Sequence, residues 1–485
     1  MLTANGHVYS RELKSKGERH VFSRLSKRKD KKAVKIIIAG SGKVGQTLAR
    51  ELLDEGYDIT LIDSDSSVLQ NSLESIDVMA YGGNCASMET LLGAGVKDAD
   101  LLIATAATDE INLLCCMTAH AINPKIHAIA RIRDPEYLRQ AYAMKESFGL
   151  SLAINPEKQA AAEIERLIKY PGFLKRDAFA RGKAQIVELK IEEGSTLCDV
   201  PLNAMNGIVK CKVLVCAVLR EGKAIVPDGS FVLKAGDKIF VTAPTDSLSD
   251  LLKNLGIVTH KIKNVMIAGG GMICYYLAKL LEKSKLSVSV IDKSQEKCER
   301  LSELLPKVSV IHGDASNQQT LASVGIDETD ALISLTGNDE LNMIISLYGN
   351  SCGVSLTVTG LSEFDNTGIT DTLPIGSVIR PHMLCCNTVV RYVRALEKQS
   401  GAAITVHSIA NGQMEAMEFN VEKDTLNSGV PLKKIKLRKN ILIACITRGD
   451  VTEIPSGDSV FNEGDSVVIV SSGDAPVLQL NDIFE

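Results

Sequence analysis

With 485 residues, 45% of them apolar, the chain is too long for one domain and rich enough in apolar side chains for several globular cores, which excludes a disordered protein. No run approaches the roughly 18 to 20 apolar residues of a membrane-spanning helix and no leader-like segment opens the chain, so a soluble, cytoplasmic protein is expected. The net charge of −5 hides an asymmetry, because residues 1–32 carry ten Lys/Arg against Glu12, Glu18 and Asp30, a balance of +7 that leaves −12 for the rest. This basic N-terminal extension (1–33) reads as a solvated segment with no assigned function, and no nucleic-acid partner is expected. Twelve cysteines without a C-x-x-C, including the adjacent pairs Cys115/Cys116 and Cys385/Cys386, read as reduced, buried thiols. The eight histidines are scattered with no H-E-x-x-H, so no metal centre is expected.

The organising stretch is VKIIIAGSGKVGQTLARELLDEGYDITLID, residues 34 to 63: an apolar strand, a glycine turn, an amphipathic helix and a second strand ending in Asp63. Gly40, Gly42 and Gly45 make G-x-G-x-x-G. So bare a loop lets a pyrophosphate approach backbone amides at the positive end of the following helix, and Asp63 is placed to accept hydrogen bonds from an adenosine ribose. Strand before, helix after and an acid at the next strand's end favour nucleotide binding over a structural glycine turn. Neither Ser64 nor Asp65 is an arginine, which points to NAD rather than NADP; ATP or ADP uses the same ribose contacts.

A helix over Ser66 to Ser75 follows, then a strand near Asp77 to Tyr81 closing on Gly82-Gly83-Asn84. Helical spacing in METLLGAG precedes ADLLIATAA, a near-continuous apolar run of the kind a central parallel strand needs. Thr105 to Asn112 reads as the next loop, Leu113 to Ala121 as a helix and KIHAIAR as a strand. A helix begins at Pro135, SLAIN is a strand and Pro156 to Lys169 a long amphipathic helix. This alternation defines a doubly wound α/β domain. From about Ala184 the pattern changes to short β-rich runs, QIVELKI, CKVLVCAVLR, AIVP and DKIFVTA, separated by Gly, Pro and Asp turns, as in a small α+β lobe. The turn acids Asp228, Asp237 and Asp465 read as turn formers, with an ion or effector site as the alternative; the lobes' apolar strands are also candidates for subunit contacts.

The whole arrangement then repeats. IAGGGMICYYLAKLLEKSKLSVSVID matches the opening stretch, with Gly40 to Gly269 and Asp63 to Asp292 at one offset of 229, so that Gly269, Gly271, Asp292 and Asp314 form a second candidate site. Gly83-Asn84 matches Gly313-Asp314, DADLLIATAATDEIN matches ETDALISLTGNDELN, and Val200-Pro201-Leu202 matches Val430-Pro431-Leu432. Two tandem Rossmann-like doubly wound parallel-sheet domains, each followed by a small α+β lobe, are therefore expected. The boundaries are 34–155 and 262–380 for the Rossmann domains, 156–183 and 381–402 for connecting helices, and 184–254 and 403–482 for the lobes.

These residues resemble the TrkA-type regulatory subunits of Trk potassium uptake systems, built from tandem regulator-of-potassium-conductance units. The resemblance covers roughly residues 34 to 480 and includes the D-E-x-N loop (Asp109, Glu110, Asn112) and the V-P-L and G-D phrases of the lobes. It implies a cytoplasmic homotetramer, peripheral to the inner face of the membrane, beneath a membrane-embedded potassium translocating subunit whose activity bound NAD (NADH), or ATP/ADP at the same site, controls. Carried over residue by residue, Gly40, Ser41, Gly42, Lys43, Val44 and Gly45 lie at the phosphates, Asp63 at the ribose and Gly83 and Asn84 beside the adenine. Thr105, Ala106, Asp109 and Asn112 lie near the distal half of the ligand, and Arg131 reaches a phosphate or a surface ion pair.

The second copy departs from the pattern. Cys274 replaces the third glycine, Lys293 follows Asp292, and SLTVTG ends without an arginine where KIHAIAR ends in Arg131, so a weakened or structural site is expected there. An NAD-dependent oxidoreductase with an unrecognised substrate is the rival reading. The only Y-x-x-x-K, Tyr275 to Lys279, lies on the helix straight after the second glycine turn, where a catalytic pair is out of place. Gly40 to Gly45 also has P-loop spacing, but Gln46 and Thr47 follow in place of lysine, which removes the cation that supports hydrolysis. Binding without turnover, hence no enzyme, is the expectation.

Overall fold

In the computed structural model, residues 8–9, 34–169, 175–255, 261–362, 370, 373–396, 403–472, 477 and 479–485 are described. The first sheet contains β1 (Val8–Tyr9), β2 (Lys35–Ala39), β3 (Asp58–Asp63), β4 (Met79–Gly82), β5 (Leu101–Ala104), β6 (His127–Arg131) and β7 (Leu152–Ile154). Their order is β1-β4-β3-β2-β5-β6-β7, and all pairs but one are parallel. β2 and β5 are central and almost wholly buried, which is why both read as unbroken apolar runs. The chain leaves β2 to one side for β3 and returns on the other for β5, so the carboxyl ends of those strands open a crevice at the topological switch point. The antiparallel partner is β1: Val8 and Tyr9 pair with Tyr81 and Ala80 and cover the edge of β4. Two residues of the basic extension are thus paired rather than solvated; its charged residues lie outside the described ones.

Helices flank the sheet at Lys43–Asp54, Ser66–Ser75, Met88–Gly93, Asp109–Ile122 and Pro135–Ala143, and the helix Pro156–Lys169 follows β7 in the chain. One boundary differs from the sequence expectation, since Asp109 to Asn112 form the first turn of a helix and not a loop. Thr108 caps that turn by accepting from the Ile111 amide, and Asp109 and Glu110 sit at its positive end, a start signal that outweighs the polar composition.

The duplication holds in three dimensions. β13 (Asn264–Ala268), β14 (Ser287–Asp292), β15 (Ser309–His312), β16 (Ala331–Ser334), β17 (Leu356–Gly360) and β18 (Ser377–Ile379) form a parallel sheet in the order β15-β14-β13-β16-β17-β18, which is the first sheet's order without the antiparallel edge. Between and after these sheets lie two antiparallel five-stranded lobes. The first contains β8 (Lys175–Phe179), β9 (Ala184–Lys190), β10 (Leu214–Arg220), β11 (Lys223–Ile225) and β12 (Lys238–Pro244). The second contains β19 (Thr405–Ile409), β20 (Met414–Asn420), β21 (Ile441–Arg448), β22 (Val451–Glu453) and β23 (Ser466–Ser472). The lobes share one core, in which Phe179, Ile186, Cys216 and Phe240 pack with Ile409, Met414, Cys445 and Val468. Gln413 joins them further, accepting from the Ala224 amide at 3.0 Å and donating to the Gly222 carbonyl at 2.7 Å.

They differ after their V-P-L phrases: Leu202–Val209 is an α-helix, whereas Leu432–Lys434 makes only a 3-10 turn. By compactness the chain divides into two units, residues 1–159 with 381–390, and residues 160–380 with 391–485. Among the described residues no helix is long and apolar enough to cross a membrane.

Candidate nucleotide-binding site

The first glycine turn shows a separate reason for each glycine. Gly40 has φ of +105°, and a Cβ there would lie 2.6 Å from the Ala106 nitrogen, so only glycine turns the chain this close to the loop after β5. A Cβ on Gly45 would drive into the Gly40 carbonyl oxygen, which fixes how closely the helix approaches its strand. A Cβ on Gly42 would meet nothing within 4 Å, because this glycine faces the open crevice. Gly42 is also the N-cap and makes no side-chain cap, so no N-cap side chain closes the positive end of Lys43–Asp54 to an anion. By contrast, Asp65, Thr108 and Asp134 each cap the helix that follows with their side chains.

Asp63 ends β3 and receives the Ser41 amide on Oδ2 at 2.7 Å and the Asp65 amide on Oδ1 at 3.0 Å. Its carboxylate thereby joins the acid at the ribose position to the second residue of the phosphate loop. The Ser41 hydroxyl is buried against that of Ser72 at 2.7 Å. Gly83 donates its amide to the Asp63 carbonyl at 2.8 Å, which sets the Gly83-Asn84 turn beside Asp63, and Asn84 forms an Asx turn with the Ala86 amide at 3.0 Å.

The residues expected near the distal half of a ligand are engaged in building the crevice. The Thr105 hydroxyl is buried and donates to the Gly40 carbonyl at 2.9 Å, tying the loop after β5 to the glycine turn. Asn112 is fully buried; it accepts from the Ala106 amide at 2.7 Å and donates to the Arg131 carbonyl at 2.9 Å. Asp109 accepts the Arg133 and Asp134 amides, each at 2.8 Å. The D-E-x-N phrase is thus a latch that joins the loops after β5 and β6. Asp339 and Asn342 repeat it in the second copy with the Ser362 and Thr336 amides and the Gly360 carbonyl.

Arg131 ends β6 as expected, where its guanidinium meets Glu157 at 2.6 Å with side chains 19% and 16% exposed, more buried than a surface ion pair. Arg131 Nε and Glu157 Oε2 are buried and have no hydrogen-bond partner among the described residues. Glu157 and Arg133 lie at this end of the crevice and went unnoticed in the sequence. The N-P-E opening of the long helix was the available signal for the first; the second stands two residues beyond Arg131.

The second crevice keeps the backbone plan. Gly269 has φ of +110°, Gly271 faces open space and caps nothing with a side chain, and Asp292 accepts the Gly270 amide at 2.7 Å and the Ser294 amide at 2.8 Å. Cys274 is fully buried at the position of Gly45, and its burial pushes the thiol up to about 12. Leu335 replaces Thr105 and Gly360 replaces Arg131. Asp314 makes an Asx turn with the Ser316 amide at 2.8 Å, and the Ser316 hydrogen bonds hold its carboxyl below the ordinary value. Lys279 of the Y-x-x-x-K is ion-paired with Glu282 at 3.1 Å on the helix surface.

In the lobes Asp237 and Asp465 are buried and bidentate to Arg220 and Arg448, with closest distances of 2.7 Å in both, while Asp228 forms a turn with Ser230. These acids hold turns together.

Fold and crevices define a tandem Rossmann protein of the kind that places a nucleotide at a strand switch point. The TrkA-N domain model matches residues 36–156 and again 265–381, and the TrkA-C domain model matches residues 186–256. The chain is 32% identical over 460 residues to the Trk system potassium uptake protein TrkA of Haemophilus influenzae, covering 93% of this chain and 99% of that protein. It is 31% identical to TrkA of Vibrio alginolyticus, with 90% and 95% covered. The chain belongs to the TrkA family of Trk system potassium uptake proteins. Among solved structures, the GsuK RCK domain superposes with a TM-score of 0.59 at 16% identity, covering 92% of this chain and 94% of that one. The GsuK channel bound to NAD superposes with a TM-score of 0.58 at 17% identity, covering 92% and 78%.

Proposed function

We propose that this chain is a nucleotide-sensing regulatory subunit that binds NAD(H) or ATP/ADP in its first crevice and controls potassium transport by a membrane-embedded Trk-type translocating subunit. The observation that carries this reading is the intact first glycine turn, with Gly42 open, the helix uncapped and Asp63 joined to the loop at 2.7 Å. Membership of a potassium-uptake family and the fold shared with the GsuK channel solved bound to NAD support it. In this reading Gly40 and Ser41 shape the turn and the amides of Gly42 to Gly45 hold the phosphates, Asp63 the ribose, Gly83 and Asn84 the adenine rim, and Arg131 a phosphate. Thr105, Ala106, Asp109 and Asn112 shape the distal wall.

The subunit works in the cytoplasm at the inner face of the membrane as a homotetramer. Exposed Met88, Leu92, Leu114 and Met117, on two neighbouring helices, supply an apolar surface for association between copies. The chain carries the seven-part division given from its sequence, and it acts without turnover. A nucleotide biases the ring by binding two of its conformations unequally, and a difference of a few kcal/mol is sufficient. Rubidium flux into vesicles holding a Trk-type translocating subunit tests the reading. Nucleotide is expected to change the flux only when this chain is added, and Asp63→Ala is expected to remove the change. Flux indifferent to the chain, or a nucleotide response that survives Asp63→Ala, overturns it.

A further inference from the structure

The duplication also relates the two lobes, and their contacts follow that relation. Residues 176–190 correspond to residues 406–420 at one offset of 230, which matches Asp177 with His407, Ala180 with Ala410 and Lys183 with Gln413. The hairpins that follow correspond at an offset of 228, which matches Arg220 with Arg448 and Gly222 with Asp450. The backbone obeys the same correspondence: Ala180 and Ala410 have φ of +49° and +51°, and Gly182 and Gly412 are left-handed as well.

The contacts between the lobes are reciprocal. Lys183 of the first lobe reaches the turn between β21 and β22 of the second, donating to the Gly449 carbonyl at 2.8 Å and pairing with the exposed Asp450. Its counterpart Gln413 reaches the matching turn between β10 and β11 of the first lobe, at Gly222 and Ala224. Such reciprocity is that of an approximate two-fold axis, and a residue that touches its own counterpart lies on the axis. Asp177 and His407 do so: His407 Nδ1 meets Asp177 Oδ1 at 3.1 Å, with side chains 21% and 10% exposed. Phe179 packs edge-on against the same imidazole at 5.0 Å between ring centres. Buried Glu418 adds a second asymmetry, because it accepts the first lobe's Ala180 amide at 3.1 Å and the Ser466 hydroxyl at 2.8 Å, where its counterpart Glu188 has Lys238 at 3.8 Å.

We infer that Asp177 and His407 form a recognition key by which each first lobe takes the second lobe of its own chain and rejects the identical lobe of another copy. The axis position decides, since any two lobes joined in this geometry bring that position against itself. Two first lobes would set carboxylate against carboxylate in a partly buried joint with no proton between them, and like-charge contact of this kind suppresses wrong partners. Two second lobes would set imidazole against imidazole and leave the ring nitrogen without a carboxylate acceptor. Only the mixed pair joins a donor to an acceptor. The flanks discriminate less, because Lys183 donates to a backbone carbonyl, and the turn of either lobe offers one at the matching position. Duplicated elements exchange readily between copies when nothing opposes it, and the key opposes it at the cost of one side chain per lobe. The apolar strands of the shared core are thereby used within the chain, and association between copies falls to other surfaces.

The test uses full-length chains and a zero-length carbodiimide, which joins the Lys183 amine to the Asp450 carboxylate as an amide. Trypsin then releases the link as residues 182–190 joined to residues 449–485. Co-expression with a chain carrying the mass marks Lys190→Arg and Val451→Ile separates links within a chain from links between chains. In the wild type, both linked peptides are expected to be marked or both unmarked. His407→Asp and Asp177→His should each lower the yield of the link about fivefold or more, and the exchange variant carrying both should restore it. Unmarked Asp177→His co-expressed with marked His407→Asp should restore the link in mixed-mass form, since the histidine-bearing lobes of one chain now complement the aspartate-bearing lobes of the other. No link in the wild type, mixed-mass links in the wild type, single variants that keep the full yield, or an exchange variant no better than the single ones overturns the inference. The wild-type arm carries no substitution at the key, so it decides even where a single variant fails to fold.

Discussion

The two Rossmann copies are built on one plan and differ at a handful of side chains, and the division separates fold from ligand. Held in both are the left-handed first glycine, the open second glycine, the acid bonded to the loop amide, and the Asp/Asn latch between neighbouring loops. Changed are Gly45 to Cys274, Thr105 to Leu335, Arg131 to Gly360, Cys85 to Ala315 and Cys115 to Ile345. Since the latch makes the same bonds in a copy that has lost its third glycine and its arginine, it belongs to the fold. The changed positions are those that set helix approach, loop support and charge in the crevice. A Cβ at the Gly45 position would drive into the Gly40 carbonyl oxygen, so a side chain such as that of Cys274 is incompatible with the close helix approach that the first copy uses.

The largest expected effect comes from imposing the second copy's residue on the first. Gly45→Cys should reduce nucleotide affinity about a hundredfold or more and cost about 1–3 kcal/mol of stability through overpacking, read by calorimetry and by thermal melts. The reverse change, Cys274→Gly, should not by itself create a site, since Gly360 still lacks a guanidinium; tight binding by that variant breaks the comparison.

Removing the latch should affect the two copies alike. Asn112→Ala and Asn342→Ala each leave buried backbone groups unpaired and should each cost about 2–3 kcal/mol in denaturant unfolding, with nucleotide affinity falling only for Asn112→Ala. Unequal costs would mean that the two latches are not the same device. Asp63→Asn keeps shape but loses charge, and is expected to weaken nucleotide binding about tenfold while Asp292→Asn leaves it unchanged. The smallest effect lies in the lobes. Asp237→Asn should cost about 1–2 kcal/mol, discounted because Arg220 stays partly solvated, and Asp465→Asn should cost less, since Arg448 is the more exposed of the two.

Much of this was legible in the sequence because it depends on periodicity and on glycine. The apolar runs gave β2 and β5, the alternation gave the doubly wound sheets, and the constant offset between Gly40 and Gly269 gave the duplication. Contacts between distant residues were not legible. The loop read at Asp109 to Asn112 is helical because Thr108 caps it, and the role of Asn112 depends on a carbonyl on β6, 19 residues away. Arg131 was placed at the right strand end, but its partner Glu157 lies 26 residues further along the chain. The pairing of Val8 and Tyr9 with β4 and the core shared by the lobes are likewise tertiary facts that no local pattern encodes.

The most direct test is the nucleotide stoichiometry of the purified, reduced chain. Titration with NAD and with ATP in a calorimeter is expected to give one nucleotide per chain for whichever binds, lost in Asp63→Ala and retained in Asp292→Ala. Two equivalent sites per chain, loss in Asp292→Ala but not in Asp63→Ala, or no binding of any adenine nucleotide would contradict the assignment of the first crevice as the ligand-reading one.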